Sequence, residues 1–114
     1  MQYTDSILTS VKQYLGLTPE YDHFDGPLIT NINTVFRTLH QLGVGPGVPF
    51  SIRSADETWF DFIPDENLND VRDYVNMRVK LLFDPPQSSF LVELLKDQIK
   101  ELEWRLNVGA EEFE

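Results

Sequence analysis

Apolar side chains recur along most of this chain at the three- and four-residue spacing of helices, and one stretch in the middle breaks that rhythm. Ile7, Leu8, Val11, Tyr14 and Leu15 predict a first helix over 5–15, capped by Thr4 or Asp5 and stopped by Gly16. A linker with Pro19 follows, over 17–25. Leu28, Ile29, Ile32, Val35, Phe36, Leu39 and Leu42 then fall on one face of a second helix that starts near Gly26-Pro27 and ends at Gly43.

Gly43-Val44-Gly45-Pro46-Gly47-Val48-Pro49 is incompatible with regular structure. Beyond it, Phe50-Ser51-Ile52-Arg53 and Thr58-Trp59-Phe60-Asp61-Phe62 read as two short strands joined by a turn at Ser54-Ala55-Asp56-Glu57. A lone hairpin is marginal in water, so this one must pack on the helices or on a partner.

The helical rhythm then returns. Leu68, Val71, Val75, Val79 and Leu82 predict a third helix over 68–83 with Asn67 as its cap, and Tyr74, Met77 and Leu81 form a second apolar arc on it. A helix apolar on two sides is normally covered on two sides. Asp84-Pro85-Pro86-Gln87 resembles a capping box with prolines in the first turn. The fourth helix runs from there to Asn107 on a stripe of Leu91, Leu94, Leu95, Ile99, Leu102 and Leu106. The expected fold is mostly α, about four helices with a short β-hairpin or irregular insertion between the second and third. It makes one domain over 1–107, followed by a flexible acidic tail over 108–114.

Composition narrows what such a domain can do. The chain has 114 residues, 41% of them hydrophobic, which suits one core and leaves no room for a second. There is no cysteine, so disulfides and thiolate metal sites are excluded. With 19 acidic and 9 basic residues the net charge is −10, a balance that repels phosphate backbones and anionic membranes alike. The first residues lack the basic start and apolar run of a secretory leader, and no stretch approaches a membrane span.

Candidate chemistry is sparse. Asp22-His23-Phe24-Asp25 could supply metal ligands or an acid–base pair, as in a metal-dependent hydrolase, but His40 is the one further imidazole and a site needs three or four converging ligands. A polar linker with a capping aspartate accounts for the same residues. The glycines of 43–47 leave a helix C-terminus, where carbonyls are exposed, so they do not cradle a phosphate. No nucleophile stands with a placed histidine, and no catalytic role, cofactor or metal is expected.

Apolar side chains in excess of a single stripe carry more information. Trp104 falls among Glu93, Asp97 and Lys100, away from the leucine stripe. Either it anchors a partner, as tryptophan often does, or the helix end is wrapped on both sides or Lys100 stacks on the indole. Tyr74, Met77 and Leu81 raise the same question, as do Trp59 and Phe60, adjacent aromatics on opposite faces of the expected strand. Three such excesses in one small domain favour association. A helical module that binds one other protein, such as a regulator, is the alternative to self-assembly.

Three segments carry a family resemblance. Gln41-Leu42-Gly43-Val44-Gly45 after a helix bearing Ile32-Asn33, Tyr74-Val75 through Leu81-Leu82-Phe83-Asp84-Pro85-Pro86, and Glu103-Trp104-Arg105-Leu106-Asn107 are similar to the head–tail connector (adaptor, or head-completion) proteins of tailed bacteriophages. The resemblance implies a virion protein assembled in the bacterial cytoplasm, in a ring commonly of twelve subunits. Such a ring sits beneath the portal protein and above the stopper or tail-completion protein, and DNA passes through its lumen. It further implies that the C-terminal segment, here Trp104, Arg105, Leu106 and Asn107, engages the portal.

Overall fold

The structure, a computed structural model, describes residues 5–62 and 68–112. Five helices follow in order: α1 (Ile7–Tyr14), α2 (Asp25–Gln41), α3 (Trp59–Phe62), α4 (Leu68–Phe83) and α5 (Ser89–Glu112). The radius of gyration is 13.7 Å, within a slab of 40 × 35 × 22 Å.

α4 is the centre of the packing. It lies against α2 on one side and α5 on the other, with α1 set beside α2 and α4, while α2 and α5 make no extensive contact with each other. That is why α4 is apolar on two arcs. Val71, Val75 and Val79 are fully enclosed, and so is Tyr74 on the second arc. One core results, built on Ile7, Val11, Leu28, Ile32, Val35, Phe36 and Leu39 from the first two helices and closed by Ile99, Leu102 and Leu106 of α5.

Local chemistry sets the helix ends. Ser6 caps α1, its hydroxyl accepting from the Thr9 N–H at 3.2 Å. Asp5 is therefore not the cap, and Thr4 lies outside the described residues, as does Asn67. Gly16 and Gly43 take positive φ after α1 and α2. The Asp84–Gln87 segment differs from expectation. The prolines sit in the connection and not in the first helical turn, because α5 opens at Ser89 with the Ser88 hydroxyl accepting from the Leu91 N–H at 3.4 Å. α5 also continues to Glu112, past the Asn107 limit read from its leucines.

The hairpin is absent: the described residues contain no strand, and one isolated antiparallel bridge joins Ser6 to Thr58. Residues 50–53 form no regular element, and the Ile52 backbone pairs with a side chain. Asn33 on α2 accepts from the Ile52 N–H at 2.8 Å and donates to the Ile52 carbonyl at 3.0 Å, as a neighbouring strand would. Thr58-Trp59-Phe60-Asp61-Phe62 forms the single turn α3 instead of a strand. The Asp61 carboxylate accepts from the Thr58 N–H at 2.9 Å and the Thr58 hydroxyl accepts from the Asp61 N–H at 3.4 Å, a reciprocal cap that supports helical over extended backbone. The turn sends Trp59 and Phe62 into the core and leaves Phe60 outside. Phe62 joins Phe36 and Phe50, ring centroids 4.6 and 5.2 Å away, and its ring fills the space beside Gly45.

Candidate interaction surfaces

The residues singled out from sequence divide by enclosure. Trp59 is fully buried and its indole N–H donates to the Ser10 hydroxyl at 3.1 Å. Tyr74 is also fully buried, its hydroxyl donating to the Glu103 carboxylate at 2.7 Å and its ring lying 5.9 Å from the Arg78 guanidinium. Burial and that hydrogen bond to a carboxylate both push its phenol well above the usual tyrosine range. Leu106 belongs to the core. These three therefore leave the set of surface candidates, since the chain's own helices already enclose them. Met77 and Leu81 are partly buried against the same core.

The others face outward. Trp104 is 67% exposed on α5 and Phe60 is exposed on α3. Arg105 is exposed and pairs with Glu101 one turn earlier at 2.8 Å. Asn107 is half-buried and donates to the Leu42 carbonyl at 3.4 Å, tying the C-terminal half of α5 to the end of α2.

Sequence reasoning missed the most exposed aromatic. Phe90 is 72% exposed at the start of α5, with Leu91, Leu94 and the α4 residue Leu82 also outside. Periodicity had placed Leu82, Leu91 and Leu94 in core stripes. The connection of α4 to α5 is short, so the two helices are antiparallel, and the Tyr74–Glu103 bond sets their register. In that register Phe83, the end of α4, lies level with Leu94. Residues of α5 before Leu94 thus pass the end of the helix they would pack on. The two helices are unequal in length, about 24 Å for α4 against about 36 Å for α5.

The Asp22–Asp25 segment is engaged in packing. Asp25 accepts from the Lys12 ammonium at 2.9 Å, and that ammonium also donates to the Pro19 carbonyl at 2.9 Å. His23 and Phe24 pack on Tyr21, and Phe24 meets Phe83 edge-on at 5.2 Å. Among the described residues no three His, Asp or Glu side chains gather where they could hold a metal ion. No helix among them is long and apolar enough to cross a membrane.

Enclosed Tyr74, outward Trp104 and a two-sided α4 make a small helical bundle with apolar surface left over. Against protein families, residues 7–112 match the model described as phage connector protein. The chain belongs to that family. No curated protein and no solved structure matches it. Membership makes it a structural component of a phage particle that works against other head or tail proteins, and the connector's outward side chains are the ones available for that work.

Proposed function

We propose that this connector is a head–tail adaptor subunit that assembles as a ring, of twelve in the virion, between the portal protein and the stopper or tail-completion protein. Family membership over nearly the whole chain carries the reading, and the outward Trp104 supports it. A large aromatic held two-thirds exposed on a rigid helix suits a partner's pocket, where its area is buried and its N–H is paired. Trp104, Arg105 and Asn107 are the portal-facing side chains in this reading, and Phe60 and Phe90 serve other contacts. The protein carries no reaction. It lets DNA pass without gripping it, because an acidic lumen repels phosphates. Assembly takes place in the host cytoplasm before the tail is joined.

Electron microscopy and native mass spectrometry of the connector mixed with portal rings test this. Rings bound to the portal are expected, and Trp104→Ala should weaken docking roughly tenfold or more while leaving the melting temperature within about 2 °C of the parent. A connector that ignores portal and forms a 1:1 complex with one host protein would overturn the adaptor reading in favour of a regulatory module. Early melting of the Trp104→Ala protein would return that side chain to the core.

A further inference from the structure

Charge is distributed unevenly along this chain. Residues 26–55 contain none of the 19 acidic residues and two of the basic ones, Arg37 and Arg53, for a formal +2. The remaining residues hold every acid and seven bases, a formal −12. The acid-free segment forms α2 beyond its first residue, Asp25, then the glycine loop and the stretch that Asn33 ties alongside α2. Its helix face turned away from the core carries Thr30, Thr34, Arg37 and Gln41. The threonine hydroxyls donate back to carbonyls one turn earlier, and Arg37 donates to the Thr34 hydroxyl at 3.1 Å. The segment itself contributes no negative charge; the nearest carboxylate at its far end is that of Glu57, which accepts from the Arg53 and Ser54 N–H groups at 3.0 and 3.2 Å.

The outward arc of α5 has the complementary character. α4 packs against both α2 and α5, and those two helices make no extensive contact with each other. At 100° per residue that arc holds Phe90, Leu94, Asp97, Glu101 and Trp104, all exposed. It combines protruding apolar side chains with carboxylates, and Lys100 and Arg105 stand at its margins.

From this we infer that the partner of the α5 outer arc is the α2 face of a second copy of this chain, with Asp97 and Glu101 meeting Arg37 and Arg53. The inference rests on the ring reading and says which faces close the ring. Charge complementarity selects the occupant: α5 against α5 would set acid on acid, and α2 against α2 would set arginine on arginine. Because the two faces are different, the contact is heterologous and propagates from copy to copy until it closes. Trp104 lies at the C-terminal end of this arc, where a neighbour and the portal can both reach it.

Mixed charge-reversal variants test the arrangement. One protein carries Arg37→Glu and Arg53→Glu, the other Asp97→Arg and Glu101→Arg. All four side chains are exposed, and circular dichroism checks that both variants remain folded. Assembly is followed by sedimentation velocity and native mass spectrometry, alone and on portal rings. Each variant by itself should need roughly tenfold or more higher concentration than the parent, since each now presents two faces of one sign. Their equimolar mixture should assemble like the parent, in rings of alternating composition. A parent that assembles while the variants assemble equally well, or while the mixture stays dissociated, would overturn the facing and leave the ring standing. A parent that forms no ring with or without portal would remove the ring itself.

Discussion

The ion pair between Lys12 and Asp25 joins two groups of unequal exposure, and the inequality fixes what mutation should do. The Lys12 side chain is 3% exposed and its ammonium has two partners, the Asp25 carboxylate and the Pro19 carbonyl, each at 2.9 Å. Asp25 is 32% exposed and stands in the first turn of α2, where free N–H groups and the helix dipole favour a negative charge. Asp25→Ala would leave an enclosed ammonium with one neutral acceptor. Removing one partner of a buried pair costs about 3–5 kcal/mol, and the low end applies because the flexible lysine stem can shift its head toward water. Lys12→Met keeps most of the stem's packing and leaves Asp25 to water and the helix end, at a cost of about 1 kcal/mol. The double variant should resemble Lys12→Met, since no orphaned ammonium remains. Urea unfolding followed by circular dichroism measures all three, and about 2 kcal/mol should separate the single variants. Equal losses from both single substitutions would refute the reasoning. They would mean that Lys12 is hydrated when its partner is gone.

Two further outcomes are expected. Gly16 and Gly45 share positive φ, 82° and 96°, but a Cβ on Gly16 meets open space whereas one on Gly45 lies 2.6 Å from the Phe62 ring. Gly16→Ala should therefore cost about 1–2 kcal/mol for backbone strain alone, and Gly45→Ala about 2 kcal/mol more, because Phe62 is wedged between Phe36 and Phe50. Equal denaturant midpoints would show that the ring gives way freely. Tyr74→Phe should lose about 1 kcal/mol at pH 7 with the bond to Glu103. The folded phenol titrates above the unfolded one, so its contribution is complete below the unfolded value near pH 10 and is lost as pH rises toward the folded value. The parent's advantage should shrink in alkali, and thermal melts across pH 8–11 would read it; a constant difference would contradict the linkage.

How far the fold was legible depended on what each residue packs against. α2 and α4 were readable because each buries a stripe along its whole length, and the limits of α4 matched its apolar spacing from Leu68 to Phe83. α3 was misread because Trp59, Phe60 and Phe62 suit a strand by composition. The deciding information was the Thr58–Asp61 reciprocal cap, present in the sequence as Thr-x-x-Asp but weaker to the eye than three aromatics. Leu91 was misplaced because periodicity reports one helix face and not the length of the helix opposite, and Leu94 because it lies at the edge of the leucine stripe, on the arc that turns outward. Trp59 and Tyr74 were candidates for the surface because sequence cannot show that Ser10 and Glu103 wait for their polar ends. Trp104 is exposed, as its place on the helix away from Leu95, Ile99, Leu102 and Leu106 leads one to expect.

The way α1 is fastened sets an order on how the polypeptide can acquire its shape. The Ile7 N–H donates to the Glu57 carbonyl, the Trp59 N–H to the Asp5 carbonyl and the Trp59 indole to Ser10, so the opening helix is completed by residues some fifty positions later. During synthesis its eight residues are too few to hold a helix unaided, and Ile7, Leu8 and Val11 are not fully covered until α4, on which α1 also packs, has emerged. Closing that long loop comes late and slowly relative to pairing α4 with α5. A ribosome stalled before Trp59 would therefore display a nascent chain in which α1 remains open to proteases.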